Sequence, residues 1–316
     1  MYTVNGIRVK RGSVNIGYTM PVMQATWEWP VNREWDISNP VTIAINGTTM
    51  MKGTVKSVVR RRPEGIYEFM AEDILQRAVE YWFAPDDIDA GYTWSNIDHL
   101  SLTRALLSYA SITAADIIDD WTPYPTFQFA IGPEPFKVTI AAVWDVINQI
   151  NQITGMHVYA DADNKVHLTR IWDEPGTPTK TFGTGNSGTM KTVEYYRSDE
   201  NLRNRVSVYG WNGCHGVAQA VSPYVPAGFF KTAIISYDAI VDAAMAQETA
   251  DINLARLNKL TESAIVEVIG DTSISCRQTA TVVDSKSNLS GNWFIMQCEH
   301  RVDNTSGYTV RMSFTK

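Results

Sequence analysis

Five histidines, His99, His157, His167, His215 and His300, are the side chains best suited to proton or metal chemistry near neutral pH. No two of them stand at i, i+4, and none has a Cys or Glu at ligand spacing. His157 and His167 are expected to face each other across a hairpin. There a cross-strand ring contact competes with a two-histidine ligand pair. Asp161-Ala162-Asp163-Asn164-Lys165 opens like a calcium loop, but Val166 and Trp172 stand where the sixth-position Gly and twelfth-position Glu belong. Asp and Asn are also what a hairpin turn uses, so a turn is expected. Gly183-Thr184-Gly185-Asn186-Ser187-Gly188 lacks a following Gly-Lys-Ser/Thr and reads as a connector rather than a phosphate cradle.

Nucleophilic chemistry is equally thin. The chain has no Gly-x-Ser-x-Gly elbow, and Cys214, Cys276 and Cys298 have no Cys-x-x-Cys spacing, so buried reduced thiols are expected. The acidic pairs Asp86/Asp87 and Asp119/Asp120 read as solvated loop residues. Arg60-Arg61-Arg62 is the basic run, expected at a strand end or as an interface clamp. Asn46-Gly47-Thr48, Asn288-Leu289-Ser290 and Asn304-Thr305-Ser306 match the glycosylation pattern by chance. No enzyme site, cofactor or metal is expected.

The 316 residues carry 27 basic and 34 acidic side chains, a net charge of −7. That balance opposes general nucleic-acid binding, which releases counterions through a basic face. Ten Trp, 14 Tyr and 10 Phe with 19% charged residues exclude disorder. The richest apolar stretch, Val138 to Ile153, is interrupted by Trp144-Asp145 and Asn148-Gln149, short of a membrane span. The opening residues show no signal peptide, so a soluble, cytosolically made chain of about two compact units is expected.

The elements follow from periodicity. Ile7 and Val9, then Ala25, Trp27 and Trp29, alternate with polar neighbours, as half-buried strands do. Asn46-Gly47 joins the run Val41–Ile45 to Thr48–Val59 in a hairpin. From Ala71 to Ile118 helical pieces are expected, and from Trp121 to Pro135 four prolines impose extended chain. Ile140, Val143, Trp144, Ile147 and Ile150 form one helical stripe that Gly155 closes. A hairpin over Met156–Trp172 follows. Beyond the Gly/Pro/Thr-rich stretch Pro175–Gly188 come a strand at Arg205–Tyr209 and a helix over about 238–260. The closing strands are Ile265–Ile269, Thr279–Val283, Trp293–Val302 and Tyr308–Phe314.

The Ala-rich helix Ala243–Ala250, then Gly291-Asn292-Trp293-Phe294-Ile295-Met296-Gln297-Cys298-Glu299-His300 and the last strand after Gly307-Tyr308, resemble the late control protein D and baseplate hub family of phages. That family is similar in turn to the N-terminal part of type VI secretion spike proteins. Gly291, His300, Gly307 and Tyr308 match its pattern of a glycine, an aliphatic strand, a histidine, a short turn and a final strand. The helix ending at Thr154-Gly155, the Asn5-Gly6-Ile7 opening and Trp27–Trp29 agree with it, while Ala71 to Pro135 matches nothing specific.

The resemblance implies an α+β, mainly β fold: two antiparallel, tail-tube-like β-barrel domains with an inserted α/β middle domain. The expected divisions are 1–75, 76–180 and 181–316. It implies a homotrimer whose six barrels continue the hexameric tail tube, with the tube protein, a central spike or tail-tip protein, baseplate wedge proteins and the tape measure protein as partners. Genomic DNA passes through its lumen without specific binding, in a virion baseplate assembled in the host cytoplasm. The residues nominated for interfaces are Arg60, Arg61, Arg62, Trp293, His300 and Tyr308. Rival readings are a tail-tip hub of a non-contractile phage, a carbohydrate-binding adhesin built on ten Trp, and a hub carrying its own hydrolase.

Overall fold

Seven strands open the chain: β1 (Tyr2–Val4), β2 (Ile7–Val9), β3 (Arg11–Gly17), β4 (Gln24–Trp29), β5 (Pro40–Ile45), β6 (Thr48–Arg61) and β7 (Ile66–Glu72). The computed structural model describes all residues except 19, 31–34, 62–64, 87–90, 122–125, 130–135, 171–175, 184–188, 201, 259–261 and 285–288. Arg62, the prolines at 123, 125, 133, 135 and 175, Trp172, Leu260 and most of the Gly183–Gly188 connector therefore lie outside the described residues. Asn46 and Gly47 take φ of 50° and 86°, the left-handed pair that a tight hairpin turn requires. Asn5 and Gly6 do the same at 49° and 80° and fold β1 back on β2.

The middle of the chain holds α1 (Gln76–Glu80), β8 (Trp82–Phe83), β9 (Tyr92–Trp94), β10 (Ile97–Asp98), α2 (His99–Tyr109), β11 (Ile117–Asp119), β12 (Gln128–Phe129), β13 (Phe136–Val138), β14 (Ala141–Ala142), α3 (Val143–Thr154), β15 (Met156–Ala160) and β16 (Val166–Arg170). The α3 stripe buries Val143, Val146, Ile147, Ile150 and Ile153, and Gly155 ends it in the left-handed conformation. Ile140, placed on that stripe by its spacing, precedes the helix and is exposed. The backbone of β14 pairs with β8 first, which delays the helix to Val143.

The remaining elements are β17 (Lys180–Gly183), β18 (Met190–Arg197), β19 (Arg205–Tyr209), β20 (His215–Gln219), β21 (Thr232–Ser236), α4 (Ala243–Leu257), β22 (Glu262–Ile269), β23 (Thr279–Asp284), β24 (Leu289–Asp303) and β25 (Gly307–Thr315). Helix α4 starts five residues later than its periodicity suggests. The Asp242 side chain accepts the Met245 N–H and caps it there, while the Ile240 N–H donates back to Tyr237 in a turn. Strands β20, β19 and β21 form a small sheet beneath α4. Helix α4 is tied to α3 by Thr249, whose hydroxyl donates to the Ile153 carbonyl at 3.0 Å, and by Asn253, which donates to the Gln152 carbonyl at 2.8 Å.

One sheet takes in both ends of the chain. Its order runs β18-β22-β25-β24-β3-β4-β7-β6-β5-β1-β2, with β23 and β17 branching from β24. Within it one arrangement occurs twice. In the first half the order is β3-β4-β7-β6-β5-β1; in the second it is β18-β22-β25-β24-β23-β17, with the strands visited in the same chain order. The long strands β6 and β24 correspond. Each carries a one-residue irregularity against its inner neighbour, between Val55 and Ser57 in β6 and between Ile295 and Gln297 in β24. The halves differ at their ends: β1 runs antiparallel to β5, whereas β17 runs parallel to β23. The β19–β21/α4 unit is inserted between β18 and β22, and the helical middle lies between the halves.

Strand β24 joins the two halves. Its first part, Leu289–Phe294, pairs with β23, and its second, Gln297–Asp303, pairs with β3. On its other edge strand β25 pairs with Phe294–Asp303. Alternation along these strands separates a buried face from a polar one. Val14, Ala25, Trp27, Phe69, Ala71, Ala264, Val266, Val310 and Met312 point inward. Trp27 stacks on Phe69 with ring centroids 5.3 Å apart, and Trp35 meets both edge-on. The result is the mainly β, α+β fold with an inserted α/β middle.

Candidate functional site

The polar face of the shared sheet is built by register. Rows of residues at matching positions cross it: Glu267, Arg311, Glu299, Asn15, Gln24 and Glu72 in one, and Asp303, Arg11, Glu28 and Glu68 in another. Where the halves meet, the Arg11 Nε donates to Asp303 at 2.5 Å and its Nη1 lies 3.5 Å from Glu28. Arg301 pairs with Glu299 at 2.7 Å. These groups line a shallow groove of about 430 Å³. The Asp303 carboxyl is held down at about 2, first by the Thr305 N–H it accepts and then by Arg11. The face is thus a fixed lattice of mostly neutralised charge with carboxylates in excess. It offers no nucleophile paired with a base.

The six nominated residues divide. His300 is fully buried. Its Nε2 faces the Ile274 carbonyl at 3.0 Å and must donate there, so Nδ1 accepts the Tyr308 hydroxyl at 2.7 Å. Burial pulls the His300 pKa down to about 4, and burial raises that of Tyr308. The Tyr308 ring lies against Gly270, where a Cβ would come within 2.1 Å of it, and the Gly270 N–H donates to the Tyr308 carbonyl. Trp293 is 1% exposed, meets Tyr195 edge-on at 6.1 Å, and has the Lys316 ammonium 5.5 Å from its ring. The side chains of Trp293 and His300 are therefore spent inside this chain, pinning the second half together. Arg60 and Arg61 stand exposed at the end of β6, paired with the start of β7. The Arg60 guanidinium lies 5.5 Å from the Tyr67 ring, and Arg61 pairs with Glu68 at 2.5 Å. Arg62 lies outside the described residues.

The histidine pair expected across the middle hairpin does not form. The register sets Tyr159 opposite His167 and Thr169 opposite His157. The His167 ring stacks on Tyr159 at 4.8 Å and sits between Asp120, 2.6 Å from Nδ1, and Asp161, 3.2 Å from Nε2. Asp161 also accepts the Asp163 and Lys165 N–H groups, so its stretch is the hairpin turn that its composition favours. His157 is buried against Tyr18, 4.1 Å away, with its pKa lowered to about 3 by burial. His99 Nδ1 accepts the Phe127 N–H, and burial lowers its pKa to about 4. Among the described residues no cluster of three His, Cys, Asp or Glu could hold a metal ion.

Of the polar-face residues, sequence reasoning nominated Arg61 alone. Strict alternation in Arg11-Gly12-Ser13-Val14-Asn15 and Glu299-His300-Arg301-Val302-Asp303 was the available signal.

No protein-family model matches the sequence, and no curated protein does either. Solved structures match at full length. A tail protein from Neisseria meningitidis MC58 is 14% identical with a TM-score of 0.77, covering 100% of this chain and 95% of its own. The 43 kDa tail protein of prophage MuSo2 from Shewanella oneidensis is 13% identical with a TM-score of 0.73, covering 99% and 96%. A component of the E. coli type VI secretion system, described as similar to the T4 bacteriophage tail proteins gp27 and gp5, is 6% identical with a TM-score of 0.56, covering 99% and 76%. The chain has the fold of phage tail proteins and of this type VI relative.

Proposed function

We propose that the protein is a non-enzymatic structural component of a phage tail: a hub whose homotrimer forms a ring, joins the hexameric tail tube to a central spike, and continues the DNA channel. The observation that carries this reading is the strand arrangement that occurs twice in one sheet. Three such chains present six near-equivalent units to a six-fold tube and three-fold symmetry to a spike. The full-length likeness to tail proteins supports the same placement in the virion tail. The tube, spike, wedge and tape measure proteins are its partners in this reading.

The polar face lines the channel. It carries Glu28, Glu68, Glu72, Glu194, Glu267, Glu299 and Asp303 against Arg11, Arg61, Arg301 and Arg311. A wall with excess carboxylates repels phosphates and lets DNA slide without sticking. Negative-stain microscopy of the purified protein with light scattering tests the ring. Three chains of 35.4 kDa, about 106 kDa, arranged around an open centre support it. A particle of 35.4 kDa without a ring contradicts it.

A further inference from the structure

The duplicated sheet contains one junction that is made and one that is not. Within the chain, the second part of β24 pairs with β3. By the correspondence of strands, the second part of β6 and the outer edge of β18 are the counterparts of these two edges. Both are open. Beyond Val55, whose N–H and carbonyl are taken by Asn39 and Ser38, β6 is paired on its β7 side only among the described residues. Among the described residues strand β18 is paired with β22 alone. An uncovered strand edge is a standing template for another strand, and soluble proteins ordinarily blunt it. This chain does so elsewhere. The Gln247 side chain accepts the Val217 N–H at 3.2 Å and donates to the Val217 carbonyl at 2.9 Å, occupying the outer edge of β20.

We propose that Ser57–Arg61 of one chain pairs antiparallel with β18 of a second copy, repeating between chains the junction that β24 and β3 make within one. The proposal rests on the ring reading above and supplies its subunit interface. The register follows from the equivalences. Ser57 corresponds to Gln297 through the shared irregularity, and Glu194 corresponds to Ser13 through the pairing of β18 with β22 and of β3 with β4. Since Arg301 faces Ser13 and Glu299 faces Asn15, Arg61 faces Glu194 of the second copy and Val59 faces its Tyr196.

Both pairs are complementary, though nothing in the derivation of the register selected them for it. Val59 is 52% exposed and Tyr196 50%, an apolar pair that each strand alone leaves in water. Arg61 lies between Glu68 on its own chain and Glu194 on the next, as Arg11 lies between Glu28 and Asp303 at the internal junction. The contact is heterologous, so it propagates from copy to copy rather than stopping at a pair, and the ring reading requires that it close after three.

Cross-linking tests the register directly. In a Cys214→Ser background, the double variant Val59→Cys/Tyr196→Cys is oxidised and run on a denaturing gel. Covalent species up to about 106 kDa, three chains of 35.4 kDa, are expected, reversed by reductant and absent from each single-cysteine variant. A trimer by light scattering that gives no cross-link overturns the interface and leaves the ring standing. A protein that stays at 35.4 kDa at every concentration overturns both. Arg61→Glu and Glu194→Arg are each expected to abolish the trimer while leaving the monomer folded by circular dichroism, and the two together to restore it. Trimers that survive both single variants also overturn the interface.

Discussion

Tyr308 donates its hydroxyl to Nδ1 of His300 across 2.7 Å, and that bond dictates the imidazole tautomer, because Nε2–H is committed to the Ile274 carbonyl. The pair fastens β24, β25 and the loop after β22 at one point in the core. Gly270 belongs to the same fastening, since the Tyr308 ring occupies the space a side chain would need.

Removing the hydroxyl leaves a buried acceptor unsatisfied. Tyr308→Phe is expected to lose about 1–2 kcal/mol of stability, measured by urea unfolding. Gly270→Ala forces the ring aside and is expected to cost about 1–3 kcal/mol. Because both act on one ring, Gly270→Ala combined with Tyr308→Ala should cost less than the sum of the two single changes. Additive values would show that the ring and the glycine do not share a site.

Acid should destabilise the fold well before carboxylates titrate in bulk. His99, His157 and His300 have folded pKa values of about 4, 3 and 4 against 6.5 unfolded. Below pH 6.5 the unfolded chain takes up protons that the folded chain refuses, so stability falls with pH. The loss is on the order of 1.4 kcal/mol per pH unit for each histidine. Asp73 works the other way. Burial raises its carboxyl to about 7, so between pH 7 and 3.8 the folded state keeps a proton the unfolded state has lost. Three histidines outweigh one aspartate, and thermal melts from pH 7 to pH 4.5 should show a falling midpoint. A midpoint that rises over this window would contradict the burial of these rings.

Much of this was legible beforehand, and the reasons are local. Asn46-Gly47 and Gly155 announce themselves because few residues tolerate positive φ, and the α3 stripe is periodic enough to place its core. The start of α4 falls later than its hydrophobic spacing places it because the capping Asp242 overrides that spacing. The expected pairing of His157 with His167 failed by two residues of register, which a turn of unstated geometry leaves open. The junction between β24 and β3 joins residues 286 apart, as His300 and Val14 are. Nothing in either strand alone names its partner. The duplicated strand order is not written in the residue patterns either, since the halves share topology rather than residues, and only the family resemblance implied two like domains.

Gln247 covers an edge that would otherwise be open. Gln247→Ala should raise the exchange rate of the Val217 amide hydrogen by about tenfold, the loss of roughly 1.4 kcal/mol of local protection, with the β19 amides unchanged. Hydrogen exchange read by NMR or by mass spectrometry of the 215–219 peptide gives the answer. An unchanged rate would mean the amide contact contributes nothing in solution.

Charge on the polar face should govern how nucleic acid behaves near it. Glu28→Lys, Glu267→Lys and Glu299→Lys together shift the face by six positive charges. The triple variant is expected to bind double-stranded DNA measurably at low salt and to release it steeply as salt rises, while the native protein does not bind. Fluorescence anisotropy with a labelled duplex reads both. Tight binding by the native protein at physiological salt would overturn the sliding wall.

Because β24 runs without a break from one half into the other, the halves meet at a fixed angle and have no linker to flex about. Rotating one against the other means unzipping the pairing from Gln297 to Asp303. In the proposed ring this places the bend between neighbouring units inside the folded monomer. Each arriving chain contributes two units already set at the curvature of the closed circle, and surrenders rigid-body freedom once where two separate units would surrender it twice.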